Sequence, residues 1–123
     1  MISVDSFGWI ERLTDGPKAE AYNRIIEGSR PTDIITSAVV LYEVYRKAKK
    51  AKGEEAALEA VAALSQTTVV PVDQTLSLEA ADYSLEHGLH FADALIYATA
   101  RQASARLYTS DEHLNGLEGV TVI

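Results

Sequence analysis

Four acidic residues are the places in this chain where chemistry is to be sought: Asp5, Glu43, Asp93 and Asp111. Carboxylates that converge without His or Cys make a hard oxygen site, suited to Mg2+ or Mn2+. Without an ion between them, mutual repulsion raises some of their pKa values and weakens the fold locally. With one, they position a water and offset charge at a phosphodiester. Spacing alone does not bring the four together, and each has a plain structural role open to it. Asp5 suits the N-cap of a helix beginning at Ser6, and Asp111 suits the same place before a short turn reaching Asn115. Asp93 is a first-turn acid favoured by the helix dipole. Glu43 can pair with Lys47 one turn on.

Context weakens two of these plain readings. Phe91-Ala92-Asp93-Ala94-Leu95-Ile96-Tyr97-Ala98 is apolar around most of a helix, and a helix apolar all round is usually buried. An ionised Asp93 there is costly without a counter-charge. Glu43 stands in Val39-Val40-Leu41-Tyr42-Glu43-Val44-Tyr45, where helical spacing puts it beside Val40 and Val44. Two acids in nearly apolar helices point to a shared cation.

The elements that must position these residues alternate. Strands are expected at Ile2–Val4, Asp33–Thr36, Thr67–Val72, Arg106–Thr109 and Val120–Ile123. Helices are expected over Ser6–Leu13, from about Pro17 to Glu27, from an N-cap at Ser37 to about Lys52, over Glu54–Ser65, over Asp73–His87 before Gly88, and over Phe91–Ala105. Strands alternating with helices imply an α/β sandwich with a mostly parallel sheet. Such sheets place ligand sites beyond the carboxyl ends of their strands, at a topological switch point. Asp5 follows the first strand and Asp111 the fourth. Glu43 lies on the helix after the second strand, and Asp93 opens the helix before the fourth.

The chain resembles the PIN domain, specifically the toxin ribonucleases of VapBC toxin–antitoxin modules. Four anchors carry the resemblance, in order and across essentially the whole chain: Ser3-Val4-Asp5-Ser6-Phe7-Gly8-Trp9-Ile10-Glu11, Ser37 to Glu43-Val44, Phe91-Ala92-Asp93-Ala94-Leu95-Ile96, and Leu107-Tyr108-Thr109-Ser110-Asp111-Glu112-His113-Leu114. The resemblance implies a single PIN domain over residues 1–123, a three-layer α/β/α sandwich whose parallel sheet of about five strands is ordered 3-2-1-4-5. That order would bring the four acids to one edge. By the same resemblance, Asp5, Asp93 and Asp111 are the metal ligands, direct or through water, and Glu43 completes the catalytic set by orienting the attacking water. Ser6 and Ser110 match positions where a small hydroxyl joins the site. The implied activity is Mg2+-dependent hydrolysis of RNA phosphodiester bonds, with Mn2+ a plausible substitute. The implied partners are a VapB-like antitoxin that blocks the site and a second copy in a homodimer, and the implied setting is a prokaryotic cytoplasm.

Arg46, Lys47, Lys49, Lys50 and Lys52 put five of the chain's 11 basic residues into seven positions after Glu43. They suit either a solvated helix end or, for Arg46, Lys47, Lys49 and Lys50 in particular, phosphate contact beside the acids. His87, His90 and His113 fit no zinc spacing. Trp9, Tyr42, Tyr45 and Tyr97 are expected in the core or an interface rather than stacked on bases. A receiver-type phosphoacceptor domain has similar length and alternation, and Asp73 mimics its phosphoacceptor. That reading fails because Asp5 is followed by Ser6 rather than a second acid, and no lysine follows the fifth strand. A P-loop is absent. A catalytically silent PIN fold serving as a binding module is the alternative function.

Composition bounds the rest. The 123 residues suit one domain, and zero cysteines remove disulfides, thiolate metal sites and cysteine nucleophiles. No apolar run approaches the ~18 residues of a membrane span, and the N-terminus lacks a signal-peptide pattern. The net charge of −7 argues against a broadly basic nucleic-acid binder. It is uneven, however, and leaves the basic segment near Glu43 as the side from which RNA would approach.

Overall fold

The computed structural model describes residues 1–123. Its elements run β1 (Ile2–Val4), α1 (Ser6–Thr14), α2 (Ala19–Glu27), β2 (Ile35–Ser37), α3 (Ala38–Lys52), α4 (Glu54–Leu64), β3 (Thr68–Val70), α5 (Gln74–His87), α6 (Phe91–Gln102), β4 (Arg106–Thr109) and β5 (Val120–Val122). Single 3-10 turns cover Pro31–Asp33 and Glu112–Leu114. The α/β class with a parallel sheet follows the reading of the sequence.

The expected single sheet ordered 3-2-1-4-5 is present in a looser form. All pairings are parallel: β1 pairs β4 with Val4 opposite Tyr108, β4 pairs β5 with Leu107 opposite Val120, and β2 pairs β3 with Ile35 opposite Thr68. These make a three-stranded ladder β1-β4-β5 and a two-stranded ladder β2-β3. One isolated parallel bridge, Ile2 to Ile34, joins them. Strands of three residues give a twisting sheet little length to hold in register, and the pairing of β1 with β2 shrinks to that bridge.

Local chemistry explains the element ends. Ser37 accepts from the Val39 amide at 3.1 Å and starts α3, which closes on a lysine-rich turn before Gly53. Asp73 caps α5 by accepting from the Leu76 amide at 2.8 Å, and Gly88 ends it in the left-handed region at φ 67°. The second helix begins at Ala19, beyond Pro17, and α6 stops at Gln102, short of Ala105. There Ser104 takes a left-handed φ of 53° and turns the chain into β4.

Ala94 through Ala100 are all buried, so α6 is the central helix, packed on α3, α5 and β2. Val4, Tyr22, Ile34, Val40, Val44, Leu64, Leu76 and Leu107 close the core around it. The helices also pack in consecutive pairs, α1 with α2, α3 with α4 and α5 with α6. With every strand parallel, the segments leaving β1, β2 and β4 emerge from one end of the sheet.

Candidate metal and nuclease site

Asp5 is the first residue beyond β1, and its amide extends the ladder by donating to the Tyr108 carbonyl at 3.0 Å. Its side chain is buried. One carboxylate oxygen accepts from the Ser6 amide at 2.7 Å and the other from the Thr109 hydroxyl at 2.8 Å. The Thr109 oxygen in turn accepts from the Asp111 amide at 3.0 Å. One buried threonine therefore ties the acid after β1 to the acid after β4. Asp111 accepts from the His113 amide at 2.9 Å and stands 3.0 Å from its Nδ1. Asp5 and Asp111 both cap the elements that follow them, as their plain structural reading expects.

Glu43 is half-buried on α3 and Asp93 half-buried in the first turn of α6. All four expected acids, with Ser6 and Ser110, line one pocket of about 350 Å3, and Phe7 and Lys18 complete its wall. The Ser110 hydroxyl is 2.7 Å from the Tyr22 hydroxyl. Lys18 spends its ammonium on the Ile123 carbonyl at 2.8 Å.

The carboxyls feel burial and one another. Burial pushes the Asp5 pKa up; Thr109 and Ser6 pull it back in part, and Asp111 adds repulsion. Burial raises Glu43, with the Ser6 hydroxyl opposing and the charges of Asp5 and Asp93 adding to the rise. Burial also raises Asp93, followed by repulsion from Asp111 and Asp5, against a smaller pull from His90 and His113.

The donor chemistry fits a hard divalent cation: four carboxylates and two hydroxyls, with no sulfur, around one pocket. As placed, no three His, Asp or Glu side chains stand close enough together to hold an ion. The expected ligand set lines one pocket without closing around a single point.

Thr109, Tyr22 and Lys18 were not singled out from the sequence. Thr109 had a legible signal. Strand alternation puts it on the same face as buried Leu107, and a hydroxyl on that face needs a polar partner. Tyr22 and Lys18 reach the pocket only through the packing of α1 and α2. Among the cations, Arg46, Lys47 and Lys50 line a neighbouring cleft, whereas Lys49 meets the Tyr45 hydroxyl at 3.3 Å and Glu54 at 3.9 Å. Trp9 and Tyr97 are buried as expected. Tyr42 lies outside the core, 64% exposed, which leaves only the interface half of its expectation open. The histidines gather no metal site, and His87 packs beside Tyr83 and Tyr97.

The PIN domain family model matches residues 2–119. No curated protein matches the sequence. Among solved structures, a toxin–antitoxin complex from Klebsiella pneumoniae is similar at TM-score 0.84 and 24% identity, over 99% of this chain and 97% of that one. The Mycobacterium tuberculosis VapC20 toxin, described as cleaving the sarcin–ricin loop, is similar at TM-score 0.72 and 21% identity, over 86% of this chain and 85% of that one. VapBC2 from Rickettsia felis, bound to a fragment of its promoter DNA, is similar at TM-score 0.76 and 18% identity, over 100% and 98%.

Proposed function

The chain belongs to the PIN-domain family, and on that premise we propose that it is an endoribonuclease dependent on Mg2+ or Mn2+, the toxin of a VapBC-type module. PIN domains are generally nucleases. The observation that carries the finer reading is the gathering of Asp5, Glu43, Asp93 and Asp111, drawn from across the chain, into one pocket, where burial and then neighbouring carboxylate charge raise the pKa values of Asp5, Glu43 and Asp93. Asp5, Asp93 and Asp111 would hold the ion, with Ser6 and Ser110 beside them. A bound Mg2+ or Mn2+ would supply charge against the phosphate and acidify a water. Thr109 holds the Asp5 carboxylate in place. Glu43 orients the attacking water, and its elevated pKa suits it to take the proton.

The partners belong to the same proposal. The Klebsiella and Rickettsia neighbours are toxin–antitoxin complexes, which supports an antitoxin partner for this chain. Residues 73–123 carry two basic and eight acidic residues, a balance suited to a basic segment of such a partner. We take residues 1–123 as one PIN domain, working as a homodimer in a prokaryotic cytoplasm. Arg46, Lys47 and Lys50 would meet RNA phosphates, whereas Lys49 at the same helix end is turned to Tyr45 and Glu54.

The test is cleavage of RNA by the purified protein with Mg2+, with Mn2+ and with EDTA. Cleavage is expected with either ion, none in EDTA, and none from Asp93→Asn. Activity that survives EDTA or that substitution would overturn the site. Absence of cleavage under every ion would leave the silent binding module.

A further inference from the structure

Glu11 is a buried carboxylate that is not among the residues of the acid pocket. It lies on α1 at 8% exposure, and no cation of the protein pairs with it. Its partner is the backbone: Oε1 accepts from the Lys18 amide at 2.8 Å. The turn from Asp15 to Lys18 is wound around that carboxylate. Asp15 takes a left-handed φ of 52°, the Gly16 amide donates to the Glu11 carbonyl at 3.0 Å, and a Cβ at Gly16 would run into the Glu11 carboxyl group. An apolar residue would fill the same space without the cost of desolvating a charge. What only the carboxylate supplies is the acceptor for that amide.

That amide begins α2. Lys18 is the N-cap residue and gives no side-chain cap of its own. Ala21, three residues on, lacks the carboxylate that in a capping box reaches back to the cap amide. Glu11 supplies that acceptor from the neighbouring helix, at the positive end of the α2 dipole. Two side chains one turn apart then leave this end of α2 towards the acids. Lys18 lines their pocket as its one cation. Tyr22, whose amide donates to the Lys18 carbonyl at 3.2 Å, puts its hydroxyl 2.7 Å from Ser110 Oγ, and Ser110 directly precedes Asp111. We propose that Glu11 is a positioning residue of the acid pocket. By fixing the start of α2 it places the Lys18 ammonium on the pocket wall and the Tyr22 hydroxyl on Ser110, and so holds the segment that carries Asp111. Its consequence for catalysis rests on the nuclease reading; the placement itself does not.

The test is a double-mutant cycle between Glu11 and Tyr22, read in two ways on the whole chain. In EDTA, the backbone amide resonances of isotope-labelled protein report placement. Glu11→Ala is expected to shift the Ser110 and Asp111 amides. Glu11→Gln, which keeps a carbonyl acceptor, should return them towards the wild type. Once Tyr22→Phe has removed the hydroxyl, Glu11→Ala should move them much less. In Mg2+, well below the Tm of each variant, Glu11→Ala should lower kcat for RNA cleavage about ten- to a hundredfold, and Glu11→Gln should recover most of that loss. The pair Glu11→Ala with Tyr22→Phe should lose less than the product of the two single effects. Should Glu11→Ala not fold, Gly16→Ala carries both readouts with the same outcomes, because it pushes the carboxylate off the amide without removing it. Losses that simply multiply, or Ser110 and Asp111 amides indifferent to Glu11, overturn the inference, since a role in stability alone gives that result. A Glu11→Gln variant as impaired as Glu11→Ala also overturns it. Coupled amides without cleavage by the wild type sink the nuclease reading and leave the positioning; cleavage without coupled amides does the reverse.

Discussion

Asp5 loses most of its hydration on folding and recovers only part of it from the Thr109 hydroxyl and the Ser6 amide. Thr109→Val removes the donor to Asp5 and the acceptor of the Asp111 amide together. Leaving such buried groups unpaired costs about 1–3 kcal/mol. Thr109→Val should therefore melt earlier and cleave more slowly than Thr109→Ser, which keeps the hydroxyl; equal behaviour would deny the link between the two acids. Asp93 has no hydrogen-bonding partner, and burial with repulsion from Asp111 and Asp5 raises its pKa above the ordinary 3.8. It holds its proton more tightly folded than unfolded. The stability this contributes is fully present below 3.8 and is lost as pH rises through the elevated value. In EDTA at neutral pH, Asp93→Asn should raise Tm by about 1–3 °C, modest because the group is partly solvated. That gain should vanish as pH falls towards 4. Mg2+ or Mn2+ should raise the Tm of the wild type by mass action and leave Asp93→Asn unmoved.

At the scale of elements, the pocket depends on how closely α1 approaches α2 and β1. Gly8 is buried, and a Cβ there would run into the Tyr22 ring and the Val4 side chain. Helix propensity alone favours Ala over Gly by roughly 0.5–1 kcal/mol. Overpacking a tight contact costs about 1–3 kcal/mol and wins. Gly8→Ala should lower Tm and also lower activity, because Tyr22 carries the hydroxyl that meets Ser110. Differential scanning fluorimetry beside a cleavage assay checks both; a higher Tm would show that Tyr22 yields freely. The starts of α1 and α3 and both ends of α5 were legible, since each is a side-chain cap or a glycine turn written locally. The interrupted pairing of β1 with β2 was not, because backbone hydrogen bonds between distant strands leave no mark in either segment.

Across the whole molecule, charge is partitioned. Residues 1–72 carry nine basic and ten acidic residues, while residues 73–123 carry two and eight. RNA binding should weaken with salt, with a slope set by the few cations in contact. Lys50→Glu should reduce that slope. Lys49→Glu should leave it near the wild type, because Lys49 faces Tyr45 and Glu54 outside the cleft. Equal effects of the two would mean a diffuse field, not a defined path, and filter binding across a salt series separates them.

The amino-acid sequence by itself determined the alternation of elements, the caps, the apolar helix that becomes the centre of the core, and the identity of the four acids. Those features are local: periodicity and residue chemistry within a few turns specify them. Only the tertiary structure decided that Asp5, Glu43, Asp93 and Asp111 share one pocket, that Thr109 joins two of them, and that Tyr42 faces solvent beside uncommitted cations. Each of those facts depends on the distance between segments far apart in the chain. Parallel pairing and helix packing set that distance, and composition and spacing do not.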